Sequence, residues 1–207
     1  MALSNYEITK RRVQAEFASH DLAPALEKFS LTADERYLYL RFVSTPCRIE
    51  RDSGRIFCSD DGFAYCKEAG FELTLSVFDL LFDSRPDCRP AGVYCRINSL
   101  PGLVKTASAP AEDAVVPSQA HRVQSDPEAF CRACERLGGS PFGIGDLSYR
   151  LPIFEALCAV VQFWFSDADF PPQLQILWDR NILQYVRYET VWYIRGYLME
   201  RLFRMQE

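Results

Sequence analysis

The sequence predicts an α+β domain: a mainly antiparallel sheet packed against helices, with a long C-terminal helix. Three observations lead there. Ala156–Phe165 is an apolar run of ten residues, and both of its alternating sets are mostly apolar. Successive side chains of a strand point to opposite faces, so such a strand is covered on both. Upstream, Cys47–Glu50 and Arg55–Cys58 flank Arg51-Asp52-Ser53-Gly54, a loop whose glycine suits positive φ, which makes a hairpin. Near the end, Val191, Ile194, Leu198 and Leu202 recur at helical spacing and define a helix over about Glu189–Phe203. With 207 residues, 48% hydrophobic and 14% aromatic, the chain has enough apolar material for a core and reads as one domain over residues 1–207.

The remaining elements follow in order. Ser4-Asn5-Tyr6-Glu7 is a capping box that opens a helix to about Ser19. Asp21 can cap a second short helix, Pro24–Phe29. Tyr37–Val43 is a strand that joins the hairpin in a three-strand meander. Glu72–Phe82 fits a helical face through Leu73, Val77, Leu80 and Leu81, and Val93–Leu100 contains a strand. Thr106–Asp126 is rich in Ala, Ser, Pro and charge, and reads as a mobile surface loop. Ser125-Asp126-Pro127-Glu128 opens a helix that stops at Gly138-Gly139, and Ser140–Asp146 is a loop. Leu147–Phe154 leads into the central strand. After that strand, Pro171-Pro172 stops pairing, and Gln173–Asp179 alternates again as its partner. Asp179-Arg180-Asn181 is a turn.

Composition excludes several classes. The net charge is −5 and no block of Lys or Arg occurs, which disfavours nucleic acid and anionic membranes as partners. The longest apolar run falls far short of the ~20 residues of a membrane helix. MALSNYEITKRR has no apolar segment, so no signal peptide is expected, and the eight cysteines read as reduced thiols of a cytoplasmic protein.

The candidate site lies around the central strand. Trp164, Asp167, Asp169, Phe170, Trp178 and Asp179 combine aromatic surface with carboxylates, a composition suited to ligand binding. Asp146, Glu155 and Glu189 are outer candidates. Asp167, Asp169 and Asp179 together could hold Mg²⁺ or Ca²⁺ through oxygen ligands; turn and cap chemistry is the plainer explanation of the same residues. Cys131-Arg132-Ala133-Cys134 is a CxxC inside a helix, with no second cysteine or histidine pair to complete a zinc site. The only histidines, His20 and His121, accompany no nucleophile motif, and Gly143-Ile144-Gly145 is too short for a dinucleotide fingerprint. The spacings assign no metal site and name no cofactor.

Gly145-Asp146, Leu151-Pro152-Ile153-Phe154, Trp164 with Asp167-Ala168-Asp169-Phe170-Pro171, Leu177-Trp178-Asp179, Tyr185 and Tyr188-Glu189 resemble a family of bacteria and archaea known as a domain of unknown function, DUF3786. The similarity extends more weakly through Phe78-Asp79-Leu80-Leu81 and the hairpin. The resemblance implies no activity. Some members of that family are joined to iron–sulfur domains in anaerobes with corrinoid metabolism; here no four-cysteine cluster motif precedes the domain.

Three readings stay open. The first is a ligand-binding or accessory module with its site around the DADFPP and LWD motifs, taking a small molecule or a protein partner. The second is a divalent-metal-dependent enzyme, such as a hydrolase, using Asp167, Asp169 and Asp179. The third is a protein–protein adaptor. The sequence decides neither enzymatic activity nor oligomeric state.

Overall fold

The structure, a computed structural model, describes residues 4–102 and 117–206. Its contacts divide the chain into two compact units, Met1–Cys88 with Gln184–Tyr197, and Arg89–Leu183 with Leu198–Glu207.

The first unit opens with helix α1 (Asn5–Phe17), where Ser4 Oγ accepts the Glu7 N–H at 3.2 Å. Helix α2 (Ala23–Phe29) follows. Five antiparallel strands then form one sheet in sequence order: β1 (Thr32–Ala33), β2 (Tyr37–Phe42), β3 (Thr45–Glu50), β4 (Ile56–Cys58) and β5 (Lys67–Glu68). Alternation decides its faces. Leu38, Leu40 and Phe42 on β2 pair with Ile49, Cys47 and Thr45 on β3, and all six are buried. Gly54, at φ 67°, closes the β3–β4 turn against α1 so tightly that a Cβ there would lie 2.5 Å from the Gln14 carbonyl oxygen. A side chain is excluded by contact as well as by conformation.

Helix α3 (Phe71–Phe78) runs into a π-helical turn, Asp79–Asp83. Phe78 and Phe82 pack with Phe17 at centroid distances of 5.1 and 5.6 Å. At the unit's edge Glu68 takes Lys10 at 3.0 Å and Arg55 at 2.7 Å. Burial alone pushes the Glu68 carboxyl up, but these two cations outweigh it and hold it below its ordinary value.

The described residues of the second unit include a second five-stranded antiparallel sheet and the helices that precede most of its strands. In chain order these are β6 (Tyr94–Cys95), α4 (Pro117–Ser125), α5 (Pro127–Arg136), β7 (Ser140–Pro141), β8 (Leu147–Phe154), β9 (Leu157–Trp164) and β10 (Gln173–Asp179). The strand order is β6-β10-β9-β8-β7. The early hairpin and the central strand therefore do not share the one sheet expected from the sequence. Of the expected loop at 106–126, residues 106–116 lie outside the described residues, and Pro117–Ser125 is helix. Its apolar content is small, but Ala120 and Val123, three apart, are both buried. Asp126 caps α5 by accepting the Ala129 N–H at 2.8 Å, and Gly138, at φ 72°, ends that helix.

The last helix, α6 (Tyr188–Arg204), has the expected inner face: Val191, Ile194, Leu198 and Leu202 are all 0% exposed. Within the first unit, Gly196 lies beside the Glu72 carboxylate, 3.0 Å from where its Cβ would be. The α6 start is fixed by Asp79. This carboxylate, 3% exposed, accepts the Thr190 hydroxyl, an Arg187 guanidinium N–H at 2.7 Å and the Arg187 backbone N–H at 3.4 Å. Asp79→Ala leaves a buried hydroxyl and a backbone donor without their acceptor, which costs about 2–3 kcal/mol. Urea denaturation should show the midpoint falling accordingly; an unchanged midpoint would contradict this role.

Candidate functional site

Strand β9 explains where the candidate residues go. Ala159, Val161 and Phe163 face the helices, with Phe163 against Phe130 of α5 at 6.5 Å. Val160 and Gln162 occupy the other face and are also buried. Gln162 is satisfied there, accepting from Gln175 Nε2 at 2.8 Å. The loop before β8 lies directly on this face: a Cβ at Gly145 would come within 3.1 Å of the Gln162 side chain.

Beyond Phe163 the cover ends. Trp164 is half-buried, and Phe165 is exposed. The exit is held by two side chains from elsewhere. Asp146 Oδ2 accepts the Phe165 N–H at 2.8 Å, and Gln124 Oε1 accepts the Ser166 N–H at 2.9 Å. Then Asp167 folds the turn. Its Oδ1 accepts the N–H groups of Asp169 and Phe170, both at 2.8 Å, and its own N–H donates to the Phe170 carbonyl at 3.0 Å. Pro171 and Pro172 restrict the exit further. The result is a fixed turn that leaves Phe170 61% exposed.

Asp179 has a different role. It is 0% exposed, and its Oδ1 accepts the N–H groups of Ala91 at 3.0 Å and Asn181 at 2.8 Å. Its Oδ2 accepts the Gly92 N–H at 2.8 Å. Arg180 N–H donates to the Val93 carbonyl and Asn181 Nδ2 to the Arg89 carbonyl. Together they tie segment 89–93 to the end of β10.

The six candidates therefore do not form one site. Trp164 pairs with Gln173 and Trp178 with Ala159, so the two tryptophans stand on opposite faces of the sheet. Trp178 is core, 1% exposed. Asp179 lies six residues along β10 from Gln173, about 20 Å from the turn that carries Asp167 and Asp169. The three carboxylates are not assembled for a shared cation. Among the described residues no group of three or more His, Cys, Asp or Glu side chains could hold a metal ion. Trp164, Asp167, Asp169 and Phe170 do stay together, in one short segment. Asp146, an outer candidate, supports that turn; Glu155 sits at the other end of β9, at φ 48° in the β8–β9 turn, and Glu189 starts α6.

The other motifs resolve structurally. Cys134 of the CxxC is fully buried, and burial pushes its thiol far up, away from the thiolate form that metals and redox exchange need. His121 lies in α4, not in a loop. His20 Nδ1 lies 2.9 Å from the Glu16 carbonyl, which only accepts, so Nδ1 carries the proton; the ring stacks on Phe82 at 4.1 Å. His20 also lines a cleft of about 500 Å³ in the first unit, with Phe17, Leu22, Leu26, Glu35 and Arg51. No sequence motif marks this cleft, because its walls come from separated segments.

A family model described as a domain of unknown function (DUF3786) matches residues 21–201. The chain belongs to this family. No curated protein and no solved structure matches it. The DUF3786 match spans the turn, its supports Gln124 and Asp146, and the Asp179 anchor.

The two kinds of aspartate separate on substitution. Asp179→Asn puts an NH₂ where a buried N–H needs an acceptor, and costs about 2–3 kcal/mol. Asp169→Asn changes an exposed side chain and stays within about 0.5 kcal/mol of the parent. Urea midpoints of the two variants measure both; equal losses would contradict the assignment.

Proposed function

We propose that this DUF3786 chain is a binding module whose recognition element is the turn Ser166–Pro172, with Trp164 at its base. The occupant that fits best is a protein partner offering an apolar pocket for Phe170, bordered by Lys or Arg facing Asp169. The observation that carries the reading is the exposure of Phe170 on a turn fixed by Asp167. A large apolar side chain held outward has no folding benefit, yet it suits the centre of an interface, where buried aromatics contribute most of the binding energy. The prior fixation of the turn reduces the ordering cost of association. The eight cysteines, read as reduced thiols, fit a reducing, cytoplasmic setting.

A second reading, small-molecule binding in the first unit, is favoured by the volume of its cleft, about 500 Å³, which falls in the usual range for ligand sites.

Affinity capture with the full chain, quantified by mass spectrometry, separates them. The proposal predicts a partner retained by the parent and reduced at least about tenfold by Phe170→Ser and by Asp169→Lys, a loss of roughly 1.4 kcal/mol or more. Both variants should keep the parent's unfolding midpoint. Identical capture by all three chains contradicts the proposal. A thermal shift with a small-molecule panel that Arg51→Ala abolishes, and Phe170→Ser does not, supports the second reading instead.

A further inference from the structure

The first unit holds a pair of thiols that no site described above uses. Cys47 on β3 and Cys58 on β4 are register partners, and their Sγ atoms lie 3.5 Å apart. The pairing type follows from the flanking bonds. The Pro46 carbonyl accepts the Ser59 N–H at 3.1 Å, and the Arg55 carbonyl accepts the Glu50 N–H at 2.8 Å. Hydrogen-bonded and non-hydrogen-bonded pairs alternate along an antiparallel ladder, so Cys47 and Cys58 form a non-hydrogen-bonded pair. In such pairs the Cα atoms approach to about 4.5 Å, within the range that disulfides span. Closing the bond needs the sulfurs to approach by only about 1.5 Å.

The two thiols differ in access. Cys47 is 1% exposed, and its thiol donates to the Thr45 carbonyl at 3.4 Å; Cys58 is half-buried. A third cysteine of this unit, Cys66, accepts from Arg48 Nη2 at 3.8 Å. Arg48 adjoins Cys47 in β3 and so projects from the other face of the sheet, stacked on Tyr37 and Phe63. Cys66 is directed to that face, away from the Cys47–Cys58 pair.

We infer that Cys47 and Cys58 are a reactive dithiol that takes up oxidising equivalents from a low-molecular-weight disulfide. Cys58 loses its proton and attacks one sulfur of the disulfide; a mixed disulfide forms, and the released thiolate takes up a proton. The Cys47 sulfur then attacks the Cys58 sulfur, displacing the second small thiol, which leaves with the Cys47 proton. Two protein thiols are oxidised to one disulfide, and one small disulfide is reduced to two thiols. The site goes beyond the proposed recognition turn and does not depend on it.

The test uses the full chain and oxidised glutathione, followed by alkylation of the remaining thiols, trypsin and mass spectrometry. Arg48, Arg51 and Arg55 separate the two cysteines on digestion, whereas Cys58 and Cys66 share a tryptic peptide. The Cys66→Ser variant therefore accompanies the parent. Both should yield the Cys47–Cys58 cross-linked peptide, and reduction should return both thiols. In Cys47→Ser, Cys58 should instead accumulate as the glutathione mixed disulfide. A parent whose Cys58 stays glutathionylated with Cys47 alkylated, a cross-link lost in Cys66→Ser, or a Cys58 that does not react would each overturn the inference. The parent and Cys66→Ser results decide the matter even if Cys47→Ser fails to fold.

Discussion

The second unit depends on one constraint: strand β9 is apolar on both faces and must be covered on both. Each fully buried Val, Leu or Phe contributes about 1.5–3 kcal/mol, so opening the face of Leu157, Val161 and Phe163 alone would remove a large part of a domain's usual margin. Helix α5 supplies one cover. The other comes partly from the loop that approaches through Gly145. Segment 89–93 is irregular backbone tied down beside the sheet, and irregular backbone needs partners for its N–H groups. The Asp179 carboxylate supplies them to Ala91 and Gly92. Its burial is thus explained by the fold, with each oxygen occupied.

The same constraint defines what is left over. Burial takes Trp178 and Asp179 into the scaffold and stops at Phe163. The chain then has to reverse between β9 and β10 in the open. Asp167 makes that reversal with its own side chain, and Asp146 and Gln124 hold the approach to it. Side chains beyond this point are released from packing but remain in a fixed frame. A flexible loop would have to be ordered on binding, at a cost in affinity; a turn already closed by hydrogen bonds largely avoids that cost. The binding reading for this DUF3786 chain rests on that difference.

Much of the local structure was legible. Ser4, Asp126 and Gly138 carry helix-end chemistry that acts over three or four residues, and each does what its sequence position implies. Gly54 marks its turn for the same reason. Pairings across the chain were not legible. Nothing local says that the early meander and β9 enter different sheets, or that Asp79 meets Arg187 and Thr190 more than a hundred residues away. Helix α4 was hidden because only Ala120 and Val123 pack, too few for a periodic signal. The candidate site failed to converge because the sequence leaves the register of β9 and β10 open. That register puts Trp164 and Trp178 on opposite faces. Only residues contiguous in sequence, Trp164 to Phe170, stay together.

The central claim is that the Asp167 turn is formed before any partner arrives. Residue-resolved amide hydrogen exchange on the free chain tests this most directly. The N–H groups of Asp169 and Phe170 should exchange at least about tenfold more slowly than in an unstructured peptide, and Asp167→Ala should remove that protection while β9 stays protected. Exchange of both amides at unstructured rates in the parent chain would contradict a preformed turn, and with it the account of Phe170 as a presented recognition residue.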